Sequence, residues 1–320
     1  MHDDTDQPPG PCYPLARPPL RLTDAASVID AFRAGAAANR DAPCRRASVD
    51  DIRPPGRLIA TGDLHDNPVN FAKLLMLAGM TLNEESLGEV AAPPGPVCHL
   101  TLHEIIHSDR LFQGMDMSYR ALARVADLKA RYPGHVHTLL GNHELAQLMN
   151  AAIVKDGVRS VDAFNDGVEF AFGDDATAVL GAVRDFIRSM PIALEVHTTR
   201  GTILCAHSVP AAAAMGRFDA SILSRDLTDD DYQPRTGSAY LMTWGRGYDH
   251  EGLEDLVERW GAYLFILGHE KAEDGVKFVP PNAIVLASDH DRGAYLAIDL
   301  EKPPTPEQAL EGVAWFAGVG

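Results

Sequence analysis

Short apolar runs alternate with amphipathic stretches between residues 57 and 300, and several of the apolar runs end in a polar cluster. Short apolar runs bounded by polar or glycine residues predict buried strands, whereas apolar residues spaced three and four apart predict helices that bury one face. The regular alternation of the two predicts an α/β fold built in layers. The predicted strands are Arg57–Thr61, Val97–Leu102, Val136–Leu140, Ile192–His197, Thr202–Ala206, Tyr263–Leu267, Val276–Val279, Ala283–Ala287 and Ala294–Ile298. The predicted helices of this region are Pro68–Ala78, Met117–Tyr132, Glu144–Ala152, Thr177–Ser189 and Gly252–Trp260.

Other parts of the chain depart from this pattern. Residues 1–22 are rich in proline and charge, which predicts a loose arm, and a helix over Ala25–Ala38 is followed by an apparent linker over 39–57. The apolar residues of 154–175 follow no clean helical or strand period, which predicts a segment that passes over a site. The expected division is an arm, helix and linker over 1–56, one domain over 57–300, and a tail over 301–320 that packs on the domain.

The charge balance limits the partners. The chain has 28 Lys and Arg residues against 45 Asp and Glu residues, a net charge of −17. At long range this field repels nucleic acid and anionic membranes, so we expect neither as a partner. An anionic substrate therefore needs a local source of positive charge.

The cysteines and the first residues bear on the compartment. The N-terminal segment carries aspartates and prolines in place of the basic start and apolar run of a secretory signal, and no later segment stays apolar long enough to span a membrane. No CxxC pair occurs, so reduced core cysteines are expected rather than a zinc ribbon or a redox dithiol. These features predict a cytoplasmic protein. The four cysteines are Cys12, Cys44, Cys98 and Cys205.

Polar side chains with metal-binding chemistry follow four of the predicted strands. The clusters are GDLHD (62–66), GNHE (141–144), His207 and GHE (268–270). In open α/β folds, sites gather outside the carboxyl ends of the strands, so these clusters are expected to meet.

Within two of these clusters the residue types predict distinct roles. Asp63 and His65 are two apart in an extended segment, which points both side chains the same way and suits one cation. The amide oxygen of Asn142 can join a shell of carboxylates and imidazoles. His143 beside it can protonate a leaving oxygen, the alternative being a packed or capping histidine.

These motifs resemble those of the calcineurin-like metallophosphoesterases, and especially of the phosphoprotein phosphatase branch and its bacterial relatives. The resemblance runs from about Arg57 to His290 and rests on GDLHD, LLGNHE, the AHS around His207, and LGHEKAEDG with the strand pair that follows it. It implies an α/β fold of metallophosphoesterase type, a β-sandwich of two mixed sheets flanked by helices in four layers.

The resemblance also implies roles for individual residues. His143 would be the general acid, and the segment LMTWGR (241–246) looks like the family's segment after the fourth ligand, which makes Arg246 a candidate phosphate clamp. A surface loop arginine is the alternative for Arg246. The implied cofactors are two metal ions, with manganese, iron and zinc all compatible with the donor types. The implied metal ligands are Asp63, His65, Asn142, His207 and His269.

The second motif departs from the family. The family has GDxVDRG, in which the first aspartate bridges two metals, whereas this chain has LHEIIHSDR (102–110). Glu104 falls where the bridging aspartate is expected, and a longer carboxylate can still span two ions. Aligning on Asp109 and Arg110 instead keeps the Asp-Arg pair but places Ile106, which cannot bind metal, at the bridge. We prefer Glu104 as the bridge, with His107, Asp109 and Arg110 close to the phosphate.

The same string is also a formal HExxH pattern, in which two histidines on one helical face bind zinc and the glutamate acts as the base of a peptidase. That reading requires a helix, whereas His103 follows a β-rich run. It also leaves GDLHD, GNHE and GHE unexplained. A third reading, motivated by the altered second motif, is a metal-binding or phosphoprotein-binding scaffold that keeps the fold without turnover.

The predicted reaction is hydrolysis of phosphoesters. Catalysis of this reaction must remove more than about 20 kcal/mol of barrier, and general acid–base groups supply only about 10²- to 10⁴-fold. Two cations that share a bridging hydroxide can supply much of the remainder, and they bring the positive charge that the acidic chain lacks. The expected substrate is a phosphorylated small molecule, a nucleotide or a phosphoprotein, and the loops do not decide among these.

Overall fold

The computed structural model describes residues 14–85, 88–89, 97–151, 153–155 and 157–319. Within them, α-helices and β-strands alternate along the chain as the sequence predicts. The α-helices are α1 Ala25–Asp41, α2 Pro68–Ala78, α3 Tyr119–Arg131, α4 Asn142–Met149, α5 Ser160–Phe172, α6 Ala176–Ser189, α7 Ser238–Thr243, α8 His250–Trp260 and α9 Pro306–Glu311. The strands are β1 Arg45–Arg46, β2 Val49–Ile52, β3 Arg57–Thr61, β4 Asn83–Glu84, β5 Gly88–Glu89, β6 Cys98–Leu102, β7 Val136–Thr138, β8 Val154–Lys155, β9 Val158–Arg159, β10 Ala193–Thr198, β11 Gly201–Ala206, β12 Ala262–Leu267, β13 Val276–Val279, β14 Ala283–Leu286, β15 Ala294–Asp299 and β16 Val313–Trp315.

Most of these strands form two mixed sheets. A seven-stranded sheet has the order β1-β2-β10-β11-β12-β14-β13, and a five-stranded sheet has the order β16-β15-β3-β6-β7. The central pairs β3–β6, β6–β7, β11–β12 and β12–β14 are parallel. Because parallel neighbours end at the same edge, the carboxyl ends of β3, β6 and β7 lie together, as do those of β11 and β12.

Alternation along each strand builds the layers. Leu58 and Ala60 of β3 face a core that also contains Ile203 and Ile266 of the other sheet, so this core lies between the two sheets. The intervening Ile59 belongs to a second core that includes the helices. Helices α2 and α3 contact strands of the five-stranded sheet, and α8 contacts β12 of the seven-stranded sheet. The prediction of two mixed sheets flanked by helices is therefore confirmed.

Two interpretations of local segments are wrong. The segment 39–57, expected to be a linker, contains β2, which pairs in parallel with β10 inside the seven-stranded sheet. The adjacent acidic pair Asp50 and Asp51 hid this strand, because a buried aspartate is not expected in one. The segment 154–175, in which no clean period was identified, contains α5, which buries Val161, Phe164 and Val168 at helical spacing.

Three of the four cysteines fall within the described residues. Cys44, Cys98 and Cys205 are buried free thiols, and Cys12 lies outside the described residues, as does most of the predicted N-terminal arm. Across the described parts of the chain, no helix combines the length and apolarity that crossing a membrane requires.

Candidate metal centre and active site

The polar clusters that follow the strands meet at one rim. Asp63 forms isolated bridges with both His103 and Ala287, which joins the end of β3 to the ends of β6 and β14. The rim borders a cavity of about 430 Å³. Among its lining residues are Asp63, His65, Glu104, Asn142, His143, Trp244, Arg246, His269, Glu270 and Lys271. His207 is buried beside them, with its Nε2 2.8 Å from the Asn142 side-chain oxygen. The structure thus brings all six predicted metal-ligand residues and His143 together.

Glu104 occupies the centre of this arrangement. Its Oε1 lies 3.6 Å from His65 Nε2 and 3.7 Å from His143 Nε2, while its Oε2 lies 3.4 Å from His207 Nε2. Glu104 therefore belongs to two groups with mutual distances suited to a shared cation, one with His65 and His143 and one with His207 and His269. A third such group contains Asp63, His103 and His207.

The donor set around Asn142 fits a cation. Its side-chain oxygen faces only acceptors, and exchanging oxygen and nitrogen would let the amide donate to Glu104, His207 and His269. His269 Nδ1 lies 3.1 Å from His207 Nε2. Here carboxylate, amide and imidazole acceptors converge, and no donor lies between them. A divalent metal ion requires surroundings of this kind.

His103 prepares His207 for this environment. The Nε2 of His103 lies 2.9 Å from the carbonyl oxygen of Thr61 and therefore carries the hydrogen. Its other nitrogen, Nδ1, lies 3.1 Å from His207 Nδ1, and Asp63 Oδ1 lies 3.4 Å from the former and 3.5 Å from the latter. A hydrogen on His207 Nδ1 faces the Asp63 carboxylate, which leaves Nε2 of the neutral ring unprotonated and facing Asn142 and His269. Partners that fix the tautomer of a ligand in this way are common around metals.

The sequence gives His103 no role outside the HEIIH pattern. The signal that could have found this role is its position at the end of β6 directly before Glu104, where the chain enters the site.

Burial keeps the imidazoles of His207 and His269 neutral, as ligands must be. Burial lowers the pKa of His207 to about 4, although the contact with Asp63 opposes the shift. Burial also lowers the pKa of His269, and the nearby His207 and Arg246 lower it further. Burial alone would raise the pKa of Asp63, but its contacts with His103 and His207 hold that pKa well below its ordinary value. The site therefore presents neutral imidazoles beside an ionised carboxylate at neutral pH.

The backbone at the site is strained. His65, Glu104, His107 and His269 have φ values of 41°, 51°, 63° and 67°, in the left-handed region that non-glycine residues rarely adopt. Each such residue costs of order 1–3 kcal/mol and persists only where the surroundings enforce it. Their clustering at one rim is typical of a functional site.

Glu104 and the helix start at Asn142 are placed by their local structure. Gly141 is the N-cap of α4, so Asn142 and His143 lie in the first turn, where α4 was expected to begin at Glu144. The His143 backbone N–H donates to Glu104 Oε2 at 3.2 Å. The N-terminal end of a helix favours negative charge, which suits the Glu104 carboxylate there.

The two candidate arginines lie in different places. Arg246 lines the cavity, on a loop whose Gly247 N–H donates to Glu270 Oε1 at 2.6 Å. Arg110 is exposed and contacts the backbone oxygen and carboxylate of Asp66 instead. It is not among the residues that line the cavity.

His107 and Asp109, expected close to the phosphate, line a different and smaller cavity of about 80 Å³. His107 lies against His143, with 2.8 Å between their Nδ1 atoms. It therefore contacts the predicted general acid rather than the cavity itself.

The structure overturns the peptidase reading. No helix spans the HEIIH string, since His103 lies in an isolated bridge, and Glu104 and His107 have left-handed backbones. The paired histidines of a helical zinc site lie on one helical face, which this backbone does not provide.

Comparisons with solved structures relate the chain to phosphatases. It is similar to a protein serine/threonine phosphatase from Saccharomyces cerevisiae described as similar to human phosphatase PP5, with a TM-score of 0.57 at 15% identity, covering 86% of this chain and 83% of that one. It is also similar to a cold-active protein-tyrosine phosphatase of a psychrophilic Shewanella species, with a TM-score of 0.55 at 14% identity, covering 85% of this chain and 82% of that one. No family model matches the sequence, and no curated protein matches it. At this identity the similarity establishes the fold alone, an α/β arrangement of two mixed sheets flanked by helices that agrees with the predicted fold class.

Proposed function

We propose that this chain is a dinuclear metal-dependent phosphoesterase. The observation that carries the proposal is the convergence of acceptors from four strand ends around Glu104 and Asn142, beside a cavity that also holds a histidine and an arginine. All of these residues lie within 57–300, which we propose as the catalytic part of a domain whose sheets also include β2 and β16.

In the proposed centre two cations would be held, with Glu104 contributing to both. Asp63, His65 and Glu104 would hold one ion, and Glu104, Asn142, His207 and His269 would hold the other. When bound, such ions act as Lewis acids toward the phosphoryl oxygens and lower the pKa of an attacking water towards ~7. Manganese, iron and zinc are all compatible with imidazole, carboxylate and amide oxygen donors.

Two residues of the cavity act on the substrate. Arg246 binds the phosphoryl oxygens, because it is the arginine that lines the cavity. His143 donates a proton from Nε2 to the departing alkoxide, since that nitrogen lies 3.7 Å from Glu104 Oε1 at the rim. Water is the nucleophile, so no covalent phosphoenzyme forms.

The test is hydrolysis, with added manganese, of p-nitrophenyl phosphate and of phenyl phosphate, whose more basic leaving group needs a proton, by the wild type and by Asp63→Asn and His143→Asn. His250→Asn is the matched control, because His250 is an exposed histidine on α8 that pairs with Glu254. We expect Asp63→Asn to lose turnover of both substrates, His143→Asn to lose turnover chiefly of phenyl phosphate, and the control to lose neither. Undiminished turnover of phenyl phosphate in a site variant would remove that residue from the mechanism.

Metal content and a substrate panel separate the proposal from its alternative. Two ions per chain with hydrolysis of a phosphopeptide, a nucleotide or a small phosphomonoester supports the enzyme and identifies the substrate class. Two ions without hydrolysis of any phosphoester would instead indicate a metal-binding or phosphoprotein-binding scaffold. Trapping of a phosphorylated protein by rapid quench would contradict water as the nucleophile.

A further inference from the structure

A chain of hydrogen bonds runs behind His143 and away from the cavity. His143 Nδ1 lies 2.8 Å from His107 Nδ1, and His107 Nε2 lies 3.2 Å from the Gln147 side-chain oxygen. The Gln147 side-chain nitrogen donates to Asn165 Oδ1 at 2.8 Å. His143, His107 and Gln147 are all buried, so these partners replace water.

The direction of the chain follows from its far end. Because the amide nitrogen of Gln147 donates to Asn165, its oxygen faces His107, and an amide oxygen can only accept. His107 Nε2 therefore carries a hydrogen, which leaves Nδ1 of the neutral ring as an acceptor. The short contact between the two Nδ1 atoms then requires His143 Nδ1 to donate.

His107 is itself firmly held. Its backbone N–H donates to Ser118 Oγ at 3.1 Å, and Ser118 Oγ in turn donates to Asp116 at 2.8 Å. The His107 ring packs edge-on against Phe164 of α5 with the centroids 6.0 Å apart. Its ring orientation is thus fixed from the backbone, from α4 through Gln147 and from α5.

We propose that His107 is a positioning residue that, through Gln147 and Asn165, holds neutral His143 as the tautomer with hydrogen on Nδ1. The proposal rests on the proposed function, because it concerns the general acid of that reaction. Its consequence is that protonated His143 gives up the hydrogen on Nε2, the nitrogen near Glu104 at the rim, and keeps the one on Nδ1. After Nε2 gives its proton to the leaving oxygen, the ring is neutral and keeps its hydrogen bond to His107, so no rotation is needed between turnovers.

The direct test is nitrogen NMR of the full-length, zinc-loaded protein at a pH where the imidazoles are neutral. The His143 signals are assigned by their loss in His143→Gln. We expect a protonated Nδ1 and an unprotonated Nε2 in the wild type. A protonated Nε2 with an unprotonated Nδ1 would overturn the proposal, because the hydrogen-bond chain would then run in the opposite direction.

A pair of variants tests the relay. Gln147→Met removes the acceptor for His107 Nε2, so we expect a mixture of His143 tautomers. We expect kcat to fall by about 10- to 100-fold on phenyl phosphate, the range for partners of this kind, and to fall less on p-nitrophenyl phosphate, whose leaving group departs without a proton. Asn165→Asp keeps an acceptor for Gln147 and should retain the tautomer, whereas Asn165→Leu should lose it.

The outcomes distinguish the inference from the proposed function. Equal losses of kcat on both substrates in Gln147→Met, with the His143 tautomer unchanged, would show a merely structural role for Gln147 and refute the relay. Failure of the wild type to hydrolyse either substrate would refute the proposed function, while the NMR measurement would still decide the tautomer.

Discussion

Replacing Gly268 by alanine tests whether the geometry at Asp63 matters to the proposed reaction. A Cβ at this position would lie 2.3 Å from Asp63 Oδ1 and 2.6 Å from His103 Cε1. Ordinary contacts begin at 3.4 Å, so the Asp63 carboxylate must shift by about 1 Å. The φ of Gly268 is not in the left-handed region, so the effect is steric rather than conformational.

The expected magnitude follows from that displacement. A misplacement of about 1 Å costs about 10²-fold in rate where positioning drives catalysis. We therefore expect Gly268→Ala to lower kcat/KM on p-nitrophenyl phosphate about 10²-fold and to weaken manganese binding, measured by calorimetric titration. Overpacking should also destabilise the metal-free protein by about 1–3 kcal/mol, measured by urea unfolding.

The matched control is Gly181→Ala on α6. A Cβ there meets nothing within 4 Å, and alanine in a helix interior stabilises by up to about 1 kcal/mol relative to glycine. We expect this variant to keep full activity. Activity and manganese affinity of Gly268→Ala within threefold or so of the wild type would refute the placement of Asp63 in the metal centre, since an estimated 10²-fold effect could not be hidden.

Three further predictions separate residues that look alike in the sequence. Arg246→Met should lower kcat/KM by about 10- to 100-fold through loss of charged hydrogen bonds to phosphate. Arg110→Met removes the side-chain contact with Asp66 and should leave the kinetics unchanged. Equal effects of the two substitutions would contradict the assignment of Arg246 as the residue that binds phosphate. Glu270→Ala removes the acceptor for the N–H of Gly247, the residue after Arg246. Because this loosens the loop that positions Arg246, KM should rise more than kcat falls, and Glu270→Gln should restore most of the loss. A change in kcat alone would argue against a role in positioning Arg246. Burial lowers the pKa of His135 to about 4. Between that value and 6.5 the unfolded state binds more protons than the folded state, so the unfolding free energy should fall as pH is lowered through this window. His135→Gln should reduce the difference in unfolding free energy between pH 7 and pH 5 by at most about 1–2 kcal/mol in urea titrations, allowing for partial solvent exposure, and an unchanged difference would refute the shift.

Local pattern was enough to predict most of the secondary structure. Strands β3 and β13 and helix α2 have the predicted bounds, because apolar runs, a proline at the helix start and a glycine after its end are local signals. The strand β2 was missed because its buried Asp50 is compensated by groups outside the strand. The His137 ring lies 2.7 Å from its carboxylate, and Arg45 also pairs with it. Burial would raise the pKa of Asp50, yet these partners hold it below its ordinary value.

The sequence by itself determined which chemistry could meet at one rim. In a layered fold, parallel neighbouring strands end at the same edge, and the strands here end in Asp63, Asn142, His207 and His269. Only the tertiary structure decided how the residues of 103–110 divide among roles. Side chains one or two positions apart in this irregular segment point to different cavities, because left-handed backbone at Glu104 and His107 breaks any simple alternation. Glu104 thus lies in the proposed metal centre, His103 and His107 contact neighbouring histidines from behind, and Arg110 lies outside the cavity. This division depends on contacts with residues far away in sequence.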